Sequence, residues 1–298
     1  MRLAAVIIHS GDIVSTSGFA RDTVDCNPGL ALFLINNGPD SDALVRDAVP
    51  SQVTVVGPPI NRGYAVAANL GIEVAIDQEF DDVVILPDDG LVPAGALSAL
   101  HREALLNDAT VAGPLVLYQN SNVVWANGLT FNRKWGVARN TDKGRKWSGG
   151  TSTIDVEYVT GHAILLRGVT ARPWLRFDED LFIYYEDISL CDEVLEREER
   201  IVLVQDAVVY HDKPGLTSYR FGRIQERHLA RSGFIYWAKH TKGLHRVPHL
   251  LGFLTITAYR LLRSASLKAL RGGFSGVLDG AVDAVRVLIG LHPRPARV

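Results

Sequence analysis

Cysteine is scarce in this sequence: Cys26 and Cys191 are the only two in 298 residues. Two thiols cannot make a disulfide framework, so the fold must rest on packing, and a reducing compartment fits. Long apolar runs are also missing. The first ten residues, MRLAAVIIHS, have neither the long apolar region nor the small-residue cleavage site of a signal peptide and read as a first β-strand. The most apolar late stretch, HLLGFLTITAYRLL from His249, falls short of the ~20 residues that cross a bilayer. No GxGxxG follows the first strand and no GxxxxGK[ST] occurs anywhere, which removes the dinucleotide-binding and P-loop readings. Repeats and low-complexity tracts are absent too. One further absence is local: from Arg227 to Leu278 there is no Asp or Glu, while nine Lys and Arg fall there (Arg227, Arg231, Lys239, Lys242, Arg246, Arg260, Arg263, Lys268 and Arg271).

What is present is ordinary globular composition, 47% hydrophobic and 21% charged, in a chain long enough for a large core. Four apolar runs, AAVIIHS, LALFLINNG, QVTVVGPP and DDVVILPDDG, end in polar or turn residues, as buried parallel strands do. Between the third and fourth, YAVAANLGIEVAIDQ places Ala65, Ala68, Ile72 and Ile76 on one helical face, giving a βαβ rhythm. The segment GDIVSTSGFARDTVDCNPG between the first two strands is a poor helix, and only a short one is expected there. From Ala109 the chain turns β-rich, a last strand IVLVQDAVVYH follows, and beyond Pro214 the sequence is basic and helical. Pro248 and the pair Gly272-Gly273 are the expected breaks in that tail.

In an open α/β sheet ligands bind beyond the carboxyl ends of the strands. Those ends are His9-Ser10, Asn36-Asn37-Gly38, Asn61-Arg62-Gly63 and Asp88-Asp89-Gly90. Hard divalent cations are held by one or two carboxylates plus phosphate oxygens, so the Asp-Asp end is a candidate metal–diphosphate anchor; an ordinary turn reads the same way. A second acidic pair, Glu186-Asp187, stands behind Phe182, Tyr184 and Tyr185 in LFIYYEDISLCDEVL. Ile188, Cys191 and Leu195 then recur at helical spacing, so these acids either cap a helix or do chemistry. His240, His245 and His249 surround Pro248 without an acid, and they read as solvated or lipid-facing rather than as a zinc site.

Taken in order, INRGYAVAANLGI, VVILPDDGLVP, VTGHAILLRG, FDEDLFIYYEDISLCDEV and IVLVQDAVVYH resemble the family-2 inverting glycosyltransferases, in particular their rhamnosyltransferase-like branch, over roughly residues 2–212. The resemblance implies the α/β GT-A nucleotide-diphospho-sugar transferase fold, with a mixed, mostly parallel central sheet and a C-terminal helical segment. It also implies a metal-dependent hexosyltransferase with a nucleoside-diphosphate-sugar donor, a divalent cation (Mg2+ or Mn2+), inversion at the anomeric carbon, and a glycan or lipid-linked glycan acceptor in cell-surface polysaccharide synthesis. Matched position by position, Asp89 and His211 would hold the metal and Asp187 would be the general base, with Glu186 beside it. Asn36, Asn37, Asn61, Arg62, Gly63, Asn69 and Asp88 would face the donor. A dTDP-rhamnose-like donor is favoured, a UDP-hexose or UDP-galactofuranose being the alternative, along with a catalytically weak nucleotide-sugar-binding protein. Two departures matter: Pro87 stands where the DXD-like element has its first acid, and Asn36 replaces the usual Asp.

These readings divide the chain into a catalytic domain at 1–212, with a nucleotide-sugar half (1–118) and an acceptor half (119–212), and a basic amphipathic helical region at 213–298. Cationic charge interleaved with Phe234, Trp237, Leu250, Leu254 and Tyr259 suits the interface of an anionic membrane, so a peripheral position on the cytoplasmic face of the inner membrane is expected. Nothing resembles a base-reading module, which argues against nucleic acid. Packing of the tail helices onto the catalytic domain or onto a second subunit, the latter giving a homo-oligomer, is the competing outcome.

Overall fold

The structure is a computed structural model, and residues 2–57, 61–150, 152–211, 222–262 and 267–291 are described, with side chains from 270 in the last stretch. The 212/213 boundary, Pro214, Arg263 and the Lys268 side chain lie outside the described residues. The chain forms two compact units: residues 1–130, 140–177 and 190–213 make the first, and 131–139, 178–189 and 214–298 the second. The units are therefore not two consecutive lengths of chain.

In the first unit, β1 (Leu3–His9), β2 (Ala31–Asn36), β3 (Val53–Val56) and β4 (Asp82–Leu86) are the four strands expected from the apolar runs. They pair in parallel in the order β3-β2-β1-β4. The sheet continues through β10 (Ile164–Arg167), antiparallel to both its neighbours β4 and β5 (Val111–Tyr118). Beyond β5 lie β11 (Ile201–His211), parallel to it, and β9 (Thr153–Asp155) at the edge. With β6 (Val124–Ala126) paired to β5, the sheet is nine-stranded and mixed, and parallel across β3-β2-β1-β4. β7 (Leu129–Asn132) and β8 (Val137–Asn140) form a separate two-stranded sheet. Ala5, Ile7, Leu34, Val84, Leu86 and Leu165 are buried on one face against α1 (Ile13–Cys26), α2 (Asp42–Ala48) and α4 (Ala96–Leu106), with α3 (Tyr64–Asp77) packing on β1 and β2. At about 25 cal/mol per Å2, burying such apolar surface is the main force that holds the layers together.

One helix is longer than its sequence suggests. The α1 segment, expected to hold only a short helix, runs for 14 residues. Asp12 caps it by accepting the Val14 N–H at 3.1 Å, and Thr16, Phe19, Ala20 and Thr23 form the buried face. Thr16 and Thr23 bury their hydroxyls by hydrogen-bonding to Asp12 and Phe19 carbonyls, so polar positions that look exposed in the sequence serve the core.

The second unit is built on α6 (Gly222–His240), α7 (Arg246–Leu262) and α8 (Leu267–Leu288), together with the first turn of α5 (Glu186–Glu196). Pro248 falls in the opening turn of α7, where a missing N–H costs nothing. Gly272-Gly273 does not break α8. Instead Gly276 and Gly280 lie directly against the Arg223 and Arg227 carbonyls of α6, where any side chain would collide, so the glycines set close helix packing. That packing brings acids from beyond the acid-free tract onto its cations. Arg227 pairs with Asp283 at 2.6 Å, and Arg260 with Glu226 at 3.0 Å. Lys239 pairs with Asp178 and Asp180 at 2.6 and 3.0 Å, and Arg231 is buried. Much of the tail's positive charge is consumed within the unit and is not presented as a cationic face. His249, expected to be solvated or lipid-facing, is buried instead: its Nδ1–H donates to the Arg133 carbonyl at 2.9 Å, and its ring stacks near Tyr236.

Candidate functional site

The strand order turns back between β1 and β4, and the crevice beyond these two carboxyl ends is where an open α/β sheet takes its ligand. At this point the Ser10 N–H donates to Asp88 Oδ2 at 3.3 Å, joining the two strand ends. Burial, then the adjacent Asp89, raises the Asp88 pKa above the ordinary carboxylate value. Asp89 behaves oppositely. Burial alone would raise it, but His211 and then His162 hold it below the ordinary value.

The approach of Asp89 to His211 has a local cause. Gly90 adopts φ 101° and passes so close to the Tyr210 carbonyl that no side chain fits. Leu91 and Tyr210 then exchange backbone hydrogen bonds of 3.0 and 2.9 Å, which bring the end of β4 to the end of β11. Asp89 Oδ1 and His211 Nδ1 are 3.3 Å apart. His162, in the turn leading into β10, completes a group in which one ligand atom from each of Asp89, His162 and His211 lies within 4.8 Å of the others. Among the described residues this is the one group of His, Cys, Asp and Glu with metal-holding geometry.

Its chemistry fits a cation. The Nε2 of His162 is buried without a hydrogen-bond partner, an arrangement that costs about 1–3 kcal/mol unless a ligand meets it, while the buried Nδ1 of His211 has only the 3.3 Å approach of Asp89 Oδ1. His162 is held neutral, its pKa pushed down to about 3 by burial and then by His211, and only a neutral imidazole can bind a metal. Its ring also hydrogen-bonds to the Tyr210 backbone, the kind of outer contact that orients a ligating histidine. Trp125 walls both imidazoles, with ring centroids 5.0 Å from His162 and 4.8 Å from His211, and Lys143 Nζ lies 5.4 Å from the Trp125 ring centre.

Asp89 and His211 were expected from the sequence as metal ligands; His162 was not. Its signal was there: in VTGHAILLRG a histidine stands where an apolar strand begins, directly after Thr160-Gly161. Of the candidate donor residues, Asn37 accepts the Arg62 N–H at 2.8 Å and donates to Gly63 O and Asn61 Oδ1 at 3.3 and 3.4 Å, tying the β2 end to the start of α3. Asn36 and Asn69 do work inside the fold. Asn36 donates to Asp40 O and Asp42 Oδ1 at 2.9 and 2.7 Å, and Asn69 makes reciprocal 2.9 Å bonds with the Phe177 backbone.

In the second unit Tyr184 and Tyr185 both have positive φ, 71° and 67°, immediately before α5. Two consecutive left-handed tyrosines cost about 1–3 kcal/mol each, and such strain is stored where a following group must be aimed. The surroundings over-determine the turn: Tyr185 packs against Phe131 and Tyr236, and Ser232 Oγ donates to the Ile183 carbonyl at 2.7 Å. Glu186 is buried with Oε2 unpartnered, and burial, then Asp187, pushes its pKa well above the ordinary carboxylate value. Asp187 is half-buried, and its Oδ1 accepts the Ile188 N–H at 2.8 Å. The upstream acids are anchors. Asp178 meets Lys239 at 2.6 Å and His240 at 3.3 Å, and these two hold its pKa at about 2 against the opposing effect of burial.

Among solved structures, this chain is similar to the mannosyltransferase PcManGT from Pyrobaculum calidifontis in complex with GDP-Man and Mn2+, with a TM-score of 0.56 and 13% identity, over 97% of this chain and 78% of that one. It is also similar to GalNAc-T7 with UDP, GalNAc and Mn2+, with a TM-score of 0.56 and 14% identity, over 90% of this chain and 58% of that one. The fold is the GT-A fold of glycosyltransferases. No protein-family model and no curated protein matches the sequence.

Proposed function

We propose that the protein is an inverting, metal-dependent glycosyltransferase that moves a sugar from a nucleoside-diphosphate donor to a hydroxyl of a glycan or lipid-linked glycan acceptor in cell-surface polysaccharide synthesis. The observation that carries this reading is the Asp89–His162–His211 group at the strand-order switch point of a GT-A fold. A divalent cation held there supplies positive charge to the departing diphosphate. Asn37 and Asp88 shape the donor crevice at the ends of β2 and β4, with Asn61, Arg62 and Gly63 at the start of α3. Asp187, carried at the start of α5 behind the strained tyrosine turn, takes the proton from the attacking acceptor hydroxyl. Glu186, buried and with a raised pKa, fixes the turn beside it.

The order of motifs favours a dTDP-rhamnose-like donor. A hexose donor is a second reading, supported by GDP-Man and UDP in the two structural neighbours. A thermal-shift panel of dTDP, UDP and GDP, each with and without Mn2+, separates them. The proposal expects one nucleotide to stabilise the protein in a cation-dependent manner, and no stabilisation by any of them would refute it. Product analysis with the matching sugar nucleotide then tests transfer, with the configuration at the anomeric carbon reporting inversion.

The location proposed is the cytoplasmic face of the inner membrane. No helix among the described residues is long and apolar enough to cross a membrane. Support comes from exposed apolar stripes: Val247, Leu251, Leu254 and Leu262 on α7, with Leu244 just before it, and Phe274, Leu278, Val282 and Val285 on α8. Because so many of the tail's cations are internally paired, apolar burial should contribute more than charge. Vesicle co-sedimentation should show binding that Leu251→Ser/Leu254→Ser weakens several-fold. A concentration-dependent dimer with no vesicle binding would point to a second copy on this face.

A further inference from the structure

The donor set at the switch point is unusual in its balance of ligands. A hard ion such as Mg2+ takes carboxylate, carbonyl and water oxygens, whereas imidazole nitrogens suit transition-metal ions. Pro87 stands where the resemblance would place the first acid of the DXD-like element, and among Asp, Glu, His and Cys the cation group takes one carboxylate, Asp89, from the end of β4. Nitrogen comes instead from two other strands, through His162 before β10 and His211 at the end of β11. His162 offers a buried nitrogen without a hydrogen-bond partner, His211 a buried Nδ1 that faces Asp89 Oδ1 at 3.3 Å, and both rings are walled by Trp125. Their ring centroids are 4.3 Å apart, so neither can turn away to solvent without displacing the other.

We propose that His162 is a third metal ligand and the residue that sets ion choice: with His211 and Asp89 it makes a two-imidazole, one-carboxylate site that takes Mn2+, Co2+ or Zn2+ in preference to Mg2+. This rests on the glycosyltransferase reading only for the identity of the diphosphate that shares the ion; the ion preference follows from the protein ligands. There is also a charge consequence. One coordinating carboxylate under a divalent ion leaves the ligand set with a net charge of about +1 before the neighbouring Asp88 is counted, where two coordinating acids would leave it neutral, so less of the ion's charge is spent on its own ligands.

The test is direct binding with the intact chain, read without turnover. Titration calorimetry with Mn2+ and Mg2+ should show at least about tenfold tighter Mn2+ binding, in keeping with the ligand preferences. Pulsed electron spin resonance of bound Mn2+ should resolve coupling to two imidazole nitrogens. His162→Ala should remove one coupling and weaken Mn2+ binding by about 10–100-fold. His162→Asp, which restores a second carboxylate, should narrow the Mn2+/Mg2+ gap. Equal affinity for Mg2+ and Mn2+ in the unaltered protein, or two nitrogen couplings surviving in His162→Ala, would overturn the proposal. The spectrum of the unaltered protein decides the matter even if a variant fails to fold, because fewer than two nitrogen couplings there also refutes it. Selective Mn2+ binding with no response to any nucleoside diphosphate would leave the ion preference standing and remove the functional reading instead.

Discussion

Two acid–acid pairs, Asp88-Asp89 at the end of β4 and Glu186-Asp187 at the start of α5, are built on one plan and equipped for different tasks. In each, burial and the adjacent carboxylate push one acid up, Asp88 in the first and Glu186 in the second. In each the other acid stays more accessible. The difference lies in what faces the accessible member. Asp89 faces two imidazoles brought in by β10 and β11, an arrangement for sharing a cation. Glu186 and Asp187 follow a strained aromatic turn, an arrangement for aiming a carboxylate and shielding it from water. A pair of acids in a sequence is thus not one signal, because the fold gives each pair different neighbours.

The comparison breaks most sharply at Asp89. Asp89→Ala removes the only carboxylate of the cation group, and calorimetry should show loss of cation-dependent nucleoside-diphosphate binding; unchanged cation dependence would refute the assignment. At the other pair, Asp187→Asn should leave nucleotide binding near normal and cut turnover by about 10²–10⁴, as lost acid–base catalysis does. A variant that melts early yet turns over normally would show that Asp187 only caps α5.

A smaller effect concerns acid stability in the second unit. Burial, then Arg231 and Arg227, lowers the His228 pKa from 6.5 to about 4, and its ring stacks on Phe182 at 4.6 Å. The unfolded chain takes up a proton below pH 6.5 and the folded chain does not. Stability is therefore complete above about pH 6.5 and lost as pH falls toward 4, by on the order of 2 kcal/mol. His228→Gln should flatten that slope in urea titrations at pH 7 and pH 4.5. The smallest effect sharpens the contrast within one pair. Glu186 is buried and its raised pKa favours the protonated form, so Glu186→Gln, which keeps the shape and a neutral group, should change turnover only a few-fold. Its raised pKa means that stability is full below about 4.5 and declines as pH rises, so the Gln variant should gain stability relative to the parent at alkaline pH. A loss of turnover as large as that of Asp187→Asn would assign the proton transfer to Glu186.

Periodicity and turn chemistry are local, and so the four parallel strands, α3 and the start of α5 could be read from the sequence within a residue or two. The motif order carried the fold class and brought Asp89 and His211 forward as ligands. The sequence by itself therefore determined the GT-A framework and the two acidic strand and helix ends. Tertiary structure decided the rest. His162 joins Asp89 and His211 only because the antiparallel β10 is inserted between β4 and β5, and no spacing along the chain encodes that neighbour. Gly272-Gly273 reads as a helix break although α8 runs through it, with Gly276 and Gly280 seated against α6, and the acid-free tract looks like a free cationic surface until α8 delivers Asp283 and the 178–189 segment delivers Asp178. Charge and packing are settled between residues distant in sequence, because Coulomb attraction and van der Waals contact depend on separation in space.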